Sequence, residues 1–128
     1  MVIEFTIPLN PRTKKNSQQI IQNRYTGKPQ IIQSKVYKEY EKSAGWFMPK
    51  MDAPIDYPVN VQAVYYRDSR RIVDLNGLNQ CLHDVLVKYG VLKDDNSKIV
   101  CSTDGSRVLY DKENPRTEVT ITRVDDES

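Results

Sequence analysis

A chain of 128 residues is long enough to bury a core without disulfide or metal staples and short enough to be read as one domain, residues 1–128. Its apolar fraction of 38% and charged fraction of 28% suit a polar, folded protein, and no apolar run approaches the eighteen or so residues of a membrane span. Asp125, Asp126 and Glu127 hold three of the 17 acids, so 19 basic residues face 14 acidic ones before them, a mildly basic body that allows a nucleic-acid partner without requiring one.

The chain opens with Ile3, Phe5 and Ile7 alternating with Glu4 and Thr6, which predicts a first strand ended by Pro8 and Pro11. This start has no basic lead and no small-residue cleavage site, so it does not read as a secretory signal, and the expected compartment is the cytoplasm. Asn10 to Ser34 reads as a long polar loop in which Arg12, Lys14, Lys15, Arg24 and Lys28 are interleaved with Asn, Gln and Tyr25, either a nucleic-acid arm or a solvated loop. Ser34 is placed to cap a helix with Val36, Tyr40, Ala44 and Phe47 on one side, and Pro49 stops it.

Val59, Val61, Ala63 and Tyr65 alternate with polar residues, a second strand that runs into Arg67-Asp68-Ser69-Arg70-Arg71. Leu75, Leu78, Leu82, Val85, Leu86 and Tyr89 repeat at three- and four-residue steps before Gly90, which predicts the main helix over 75–89. Opposite that stripe, Asn76, Gln80 and Asp84 form a polar row with His83 alongside. Lys98–Ser102 and Arg107–Tyr110 flank Thr103-Asp104-Gly105-Ser106, the signature of an antiparallel hairpin. Arg116–Val124 reads as a last strand, and the acidic tail from about 125 as frayed. Together these predict an α+β fold, one mixed sheet packed with two main helices.

Cys81 and Cys101 have no metal-ligand spacing, so both are read as reduced thiols. Nucleophilic triads, glycine-rich phosphate loops and EF-hand spacing are missing from the sequence. What remains is acidic: Asp74, Asp94 and Asp95 lie at the two ends of the main helix, downstream of the arginine run. Converging carboxylates beside a phosphate are what a magnesium site requires. The helix spans about 22 Å and the five residues after it can return roughly 17 Å, so convergence is feasible but taut, and a site shared between subunits is the alternative. The plainer readings stand beside it: Asp74 as an N-cap, Asp94-Asp95-Asn96-Ser97 as an acidic turn, Asp104 as a turn residue, His83 and Asp84 as surface groups, and Asp68 a weak candidate.

Val73-Asp74-Leu75-Asn76-Gly77-Leu78-Asn79-Gln80, followed by Asp84-Val85-Leu86, Gly90-Val91-Leu92 and Asp94-Asp95, resembles the RusA family of Holliday-junction resolvases. Asp104-Gly105-Ser106-Arg107 through Arg116 is similar to the phage-borne members of that family. The resemblance implies a homodimeric, magnesium-dependent endonuclease, with manganese able to substitute, that cuts four-way DNA junctions by paired nicks; two cuts related by a two-fold axis need the two sites of a symmetric dimer. By position, Asp74 and Asp95 match the family's first and last catalytic aspartates, with Asp94 as neighbour. Asn76 falls where the family pattern has a second aspartate and Gln80 where it has a functional lysine, whose place Lys98, Lys93 or an early-loop cation could take. In this reading Asp74, Asp95 and Asn76 hold the metal, and Lys14, Lys15, Arg67, Arg70, Arg71, Gln80 and Lys98 contact DNA. The two substitutions also motivate a rival, a junction-binding protein of the same fold that does not cut. A third reading makes the acidic clusters mere caps of a protein-interaction module.

Overall fold

The computed structural model describes residues 1–14, 18–22, 25, 27–33 and 35–124. Lys15, Ser34 and the acidic tail, on which three of the sequence expectations fall, lie outside them.

Five strands make one mixed sheet. β1 (Val2–Ile7) pairs antiparallel with β7 (Arg116–Arg123), and β7 pairs antiparallel with β4 (Val59–Arg67). Period-two alternation decides which faces are buried: Val59, Val61, Ala63 and Tyr65 of β4 and Thr117, Val119 and Ile121 of β7 point inward, as does Ile7 of β1. Onto this face α2 (Leu75–Lys88) lays Leu78, Leu82, Val85 and Leu86, all but excluded from water. These residues recur at three- and four-residue steps, so one helical stripe meets one sheet face and the core closes with two layers. The predicted fold class is thus the observed one.

The end of α2 is set by chemistry that was visible in the sequence. Gly90 takes φ +77°, the left-handed conformation that costs glycine no Cβ clash. The Val91 N–H donates to the Leu86 carbonyl at 2.8 Å and the Gly90 N–H to that of Val87 at 3.1 Å, the pattern of a Schellman stop. The chain then reverses, buries Val91 and Leu92, and is held by two backbone bonds to Ile55, each 2.9 Å.

Three expectations need correction. Val100–Ser102 (β5) and Arg107–Tyr110 (β6) do not form a hairpin; each runs parallel to β4 and they follow one another along its outer edge. The Asp104-Gly105 turn, with Gly105 at φ +88°, therefore steps along an edge instead of reversing the chain. Side chains fill the step: Asn60 Oδ1 accepts the Asp104 N–H at 2.8 Å, and the Ser106 hydroxyl oxygen accepts the Ala63 N–H at 3.0 Å. Because one of these bonds satisfies a β4 amide and the other an amide of the turn, a parallel arrangement outcompetes the local hairpin preference.

Secondly, the polar stretch from Asn10 to Ser34 contains a two-stranded antiparallel ribbon, β2 (Gln18–Gln22) with β3 (Pro29–Gln33), and Gly27 at φ +69° lies in the connection. The β-branched pairs Ile20-Ile21 and Ile31-Ile32 favour it, a signal diluted by the glutamines around them. Thirdly, α1 (Lys35–Ala44) buries Tyr37, Tyr40 and Ala44, whereas Val36 and Phe47 are exposed. The larger rings take the inward stripe, packing with Cys81 and Leu9. A 3₁₀ turn over Gly45–Phe47 then rotates Phe47 off the helical face.

Candidate active site at the start of the main helix

Asp74 is the N-cap of α2. Its backbone is extended, its Oδ1 accepts the Asn76 N–H at 3.1 Å, and its carbonyl accepts the Leu78 N–H at 3.1 Å. The plain reading of Asp74 is therefore correct, and it does not exhaust the residue: the carboxylate is exposed, with Oδ2 on the Gly77 side, 3.8 Å from where a Cβ at that glycine would lie. Asp74, Asn76, Gly77 and Gln80 line a cleft of about 330 Å³ whose other wall is Thr13, Lys14 and Cys81. The early loop packs on this turn at ordinary contact distance: a Cβ at Gly77 would lie 3.6 Å from the Thr13 methyl, so the approach does not depend on glycine there.

Lys14, expected to contact DNA, stands on the far wall; its pairing with α2 was not foreseen. Lys14 is tied to α2 twice: its N–H donates to Cys81 Sγ at 3.3 Å and its Nζ to Asp84 Oδ2 at 2.9 Å. That hydrogen bond raises the lysine pKa above its ordinary value, which favours the charged ammonium. Asp84, expected to be a solvated helix charge, instead fixes a cation one helical turn from Gln80. The four-residue row Asn76, Gln80, Asp84 was the signal that could have located this wall; the partner was hidden in a polar loop 70 residues away. Cys81 backs the cleft as a buried thiol, its pKa pushed up by that burial.

The acidic turn lies elsewhere on the helix. Asp94 spends its carboxylate locally, accepting the Asp95 N–H at 2.7 Å and an Asn96 Nδ2 hydrogen at 3.1 Å; Asn96 in turn accepts the Lys98 N–H at 3.0 Å. Asp94 is thus the residue that shapes the turn and Asp95 the one whose carboxylate is left exposed. Asp95 sits within electrostatic reach of His83, whose pKa burial lowers and whose nearest acids, Asp95 and then Asp84, raise. Asn76 and His83 are seven residues apart, which places them on one side of α2 about 10 Å apart along its axis. Asp95 is thus near His83 on α2, and it is not among the residues that line the cleft with Asp74. Lys93 and Lys98 are exposed beside this turn. Among the described residues, His, Cys, Asp and Glu side chains nowhere converge in a group of three that could hold a metal ion.

Upstream of Asp74, the arginines divide into two kinds. Arg67 braces the loop: Nη1 donates to the Arg71 carbonyl at 2.9 Å, Nε is buried, and burial lowers its pKa, with Asp68 opposing and Arg12 and Arg71 adding to the fall. The Asp68 N–H donates to Asn10 Oδ1 at 3.0 Å, a second brace on the same loop, so Asp68 helps to shape that loop. Arg70 and Arg71 are exposed, and among the described residues neither makes an ion pair; the Arg70 guanidinium lies 4.1 Å from the Tyr110 ring centre. Asp104 is confined to the edge step described above and lines no part of the cleft.

Two comparisons bear on this arrangement. The family model described as Endodeoxyribonuclease RusA matches residues 8–122, which takes in the early loop, α2 and the acidic turn. No curated protein matches the chain.

Proposed function

The chain belongs to the RusA family of endodeoxyribonucleases, and on that premise we propose that it resolves four-way junctions by paired symmetric nicks, as a homodimer, with magnesium. As a member it is a DNA-cleaving enzyme whose substrate class is branched DNA, and the family works with a divalent metal. The observation that carries the finer reading is the cleft at the start of α2, where an exposed carboxylate, amides and a fixed ammonium line one space.

The donors fit a hard cation in kind: Asp74 and Asn76 offer oxygens, and Asp95 a further carboxylate from the return segment. They are few, which suits magnesium, an ion that keeps much of its water and shares substrate phosphate oxygens. When bound, the ion supplies Lewis acidity, lowering the pKa of water and offsetting charge on the phosphate. This chain's own residues do the rest. Asp74 accepts a proton or holds the ion from a helix start whose position the cap bond fixes. Asn76 orients the shell with a neutral oxygen, Lys14 places positive charge where Gln80 has none, and Arg70 and Arg71 grip the backbone without reading bases. The second copy supplies the second nick and, where one chain does not bring Asp95 to Asp74, the second acid.

The non-cutting rival keeps one supporting observation: Asp74 is the sole carboxylate lining the cleft among the described residues. A labelled synthetic four-way junction separates the two. Magnesium-dependent paired nicks that Asp74→Asn abolishes are expected. Junction binding without nicks establishes the rival, and equal affinity for linear and branched DNA removes both.

A further inference from the structure

Ile72 is 98% exposed, more than any other large apolar side chain among the described residues, and it stands two residues before Asp74. Single exposed apolar residues are ordinary on protein surfaces. This one is set in a braced loop: Arg67 holds the Arg71 carbonyl and Asn10 holds the Asp68 N–H, so the segment carrying it is fixed to β4 and to the early loop. Its sequence neighbours Arg70 and Arg71 are exposed cations without an ion pair among the described residues, and a shallow cleft of about 310 Å³ runs between them and the end of β6, lined by Leu109 and Tyr110, both of which also present apolar surface to solvent. An apolar tip between arginines, with an arginine–aromatic stack beside it, complements a polyanion whose bases are accessible.

Resting on the junction-nuclease reading, we propose that Ile72 is a wedge that enters the branch point of the DNA and unstacks the base step there, while Arg70 and Arg71 hold the flanking phosphates and the Arg70–Tyr110 stack receives the displaced base. Apolar wedges inserted between base steps, next to cations on the backbone, are an established way to open DNA locally. Unstacking costs least where a base is already unpaired or its pairing disturbed. The arrangement also ties recognition to cutting. Ile72 and Asp74 are separated by two residues, at most about 7 Å of chain, and successive phosphates on one strand rise about 3.4 Å, so the cut falls within about two nucleotides of the branch.

The test uses full-length protein and a four-way junction carrying 2-aminopurine beside the branch point, in EDTA so that nothing is cut, with binding followed separately by anisotropy. Wild-type protein is expected to raise the fluorescence about threefold or more on binding, and Ile72→Leu to behave alike. Ile72→Ser is expected to lose most of that rise while weakening binding less than about tenfold, because the arginines remain. Failure of the wild type to bind the junction overturns the nuclease reading on which the wedge rests. Binding with an equal fluorescence change from wild type and Ile72→Ser overturns the wedge alone. So does a shift of Ile72→Ser from dimer to monomer in sedimentation without DNA, which makes the residue a contact between copies.

Discussion

The orientation of α2 over the sheet depends on one buried polar contact that can be broken cleanly. Tyr65 donates its hydroxyl to Asn79 Oδ1 at 2.7 Å, joining β4 to the helix that carries the cleft. Both residues are buried, and burial holds the tyrosine pKa well above its ordinary value, so the bond is neutral at all working pH. Tyr65→Phe removes the donor but leaves the amide oxygen desolvated, a loss of about 1–3 kcal/mol, against about 1 kcal/mol for an ordinary hydrogen bond. For a domain of this length, with an unfolding entropy near 2.1 cal/mol/K per residue, that corresponds to a fall in Tm of roughly 4–11 °C. Asn79→Leu alone strands the hydroxyl in the same way. The double variant removes both groups and should recover part of the loss, so the cycle measured by urea unfolding should give a coupling of at least about 1 kcal/mol. A coupling near zero would refute the claim that this contact orients the helix. In that case the packing of Leu78 and Leu82 alone sets it.

Other consequences are equally open to measurement. Gly105→Ala meets both a φ of +88° and a Cβ only 2.5 Å from Gln62 Oε1, so it should destabilise by about 1–3 kcal/mol in chemical unfolding. Burial depresses the His83 pKa, so the unfolded chain takes up a proton at this site before the folded one does. Stability should then be full above the ordinary value of 6.5 and decline as pH falls below it, and His83→Gln should flatten that slope in unfolding midpoints between pH 7 and 5. Lys14→Met removes a half-exposed ion pair worth at most about 1 kcal/mol, so melting should barely move while junction nicking falls about tenfold or more; unchanged nicking separates Lys14 from the chemistry.

The elements that were legible in the sequence are those whose pattern and environment agree. α2 shows its stripe, its Asp74 cap and its Gly90 stop because all three are local, and β4 and β7 show theirs because one face meets the core and the other does not. The β5–β6 step was misread because Asp-Gly favours reversal locally, while the deciding bonds come from Asn60 and Ser106 across the sheet. The face of α1 was misjudged by one position: Val36 and Tyr37 are both apolar enough, and only packing against Cys81 chooses between them. In the site, Asp74 carries two legible roles, cap and cleft carboxylate, whereas Lys14–Asp84 joins residues too far apart in the chain for spacing to reveal. The segment after Gly90 is held by backbone bonds of Val91 and Lys93 to Ile55, a long-range pairing that no local pattern encodes.

The interrupted edge of the sheet has its own consequence. Between β5 and β6 the outer side of β4 is closed by particular side chains, so an incoming strand finds no continuous ladder of free backbone groups there. On this side of the sheet, protection against edge-to-edge pairing thus rests on an asparagine and a serine, whereas β1 forms the opposite edge.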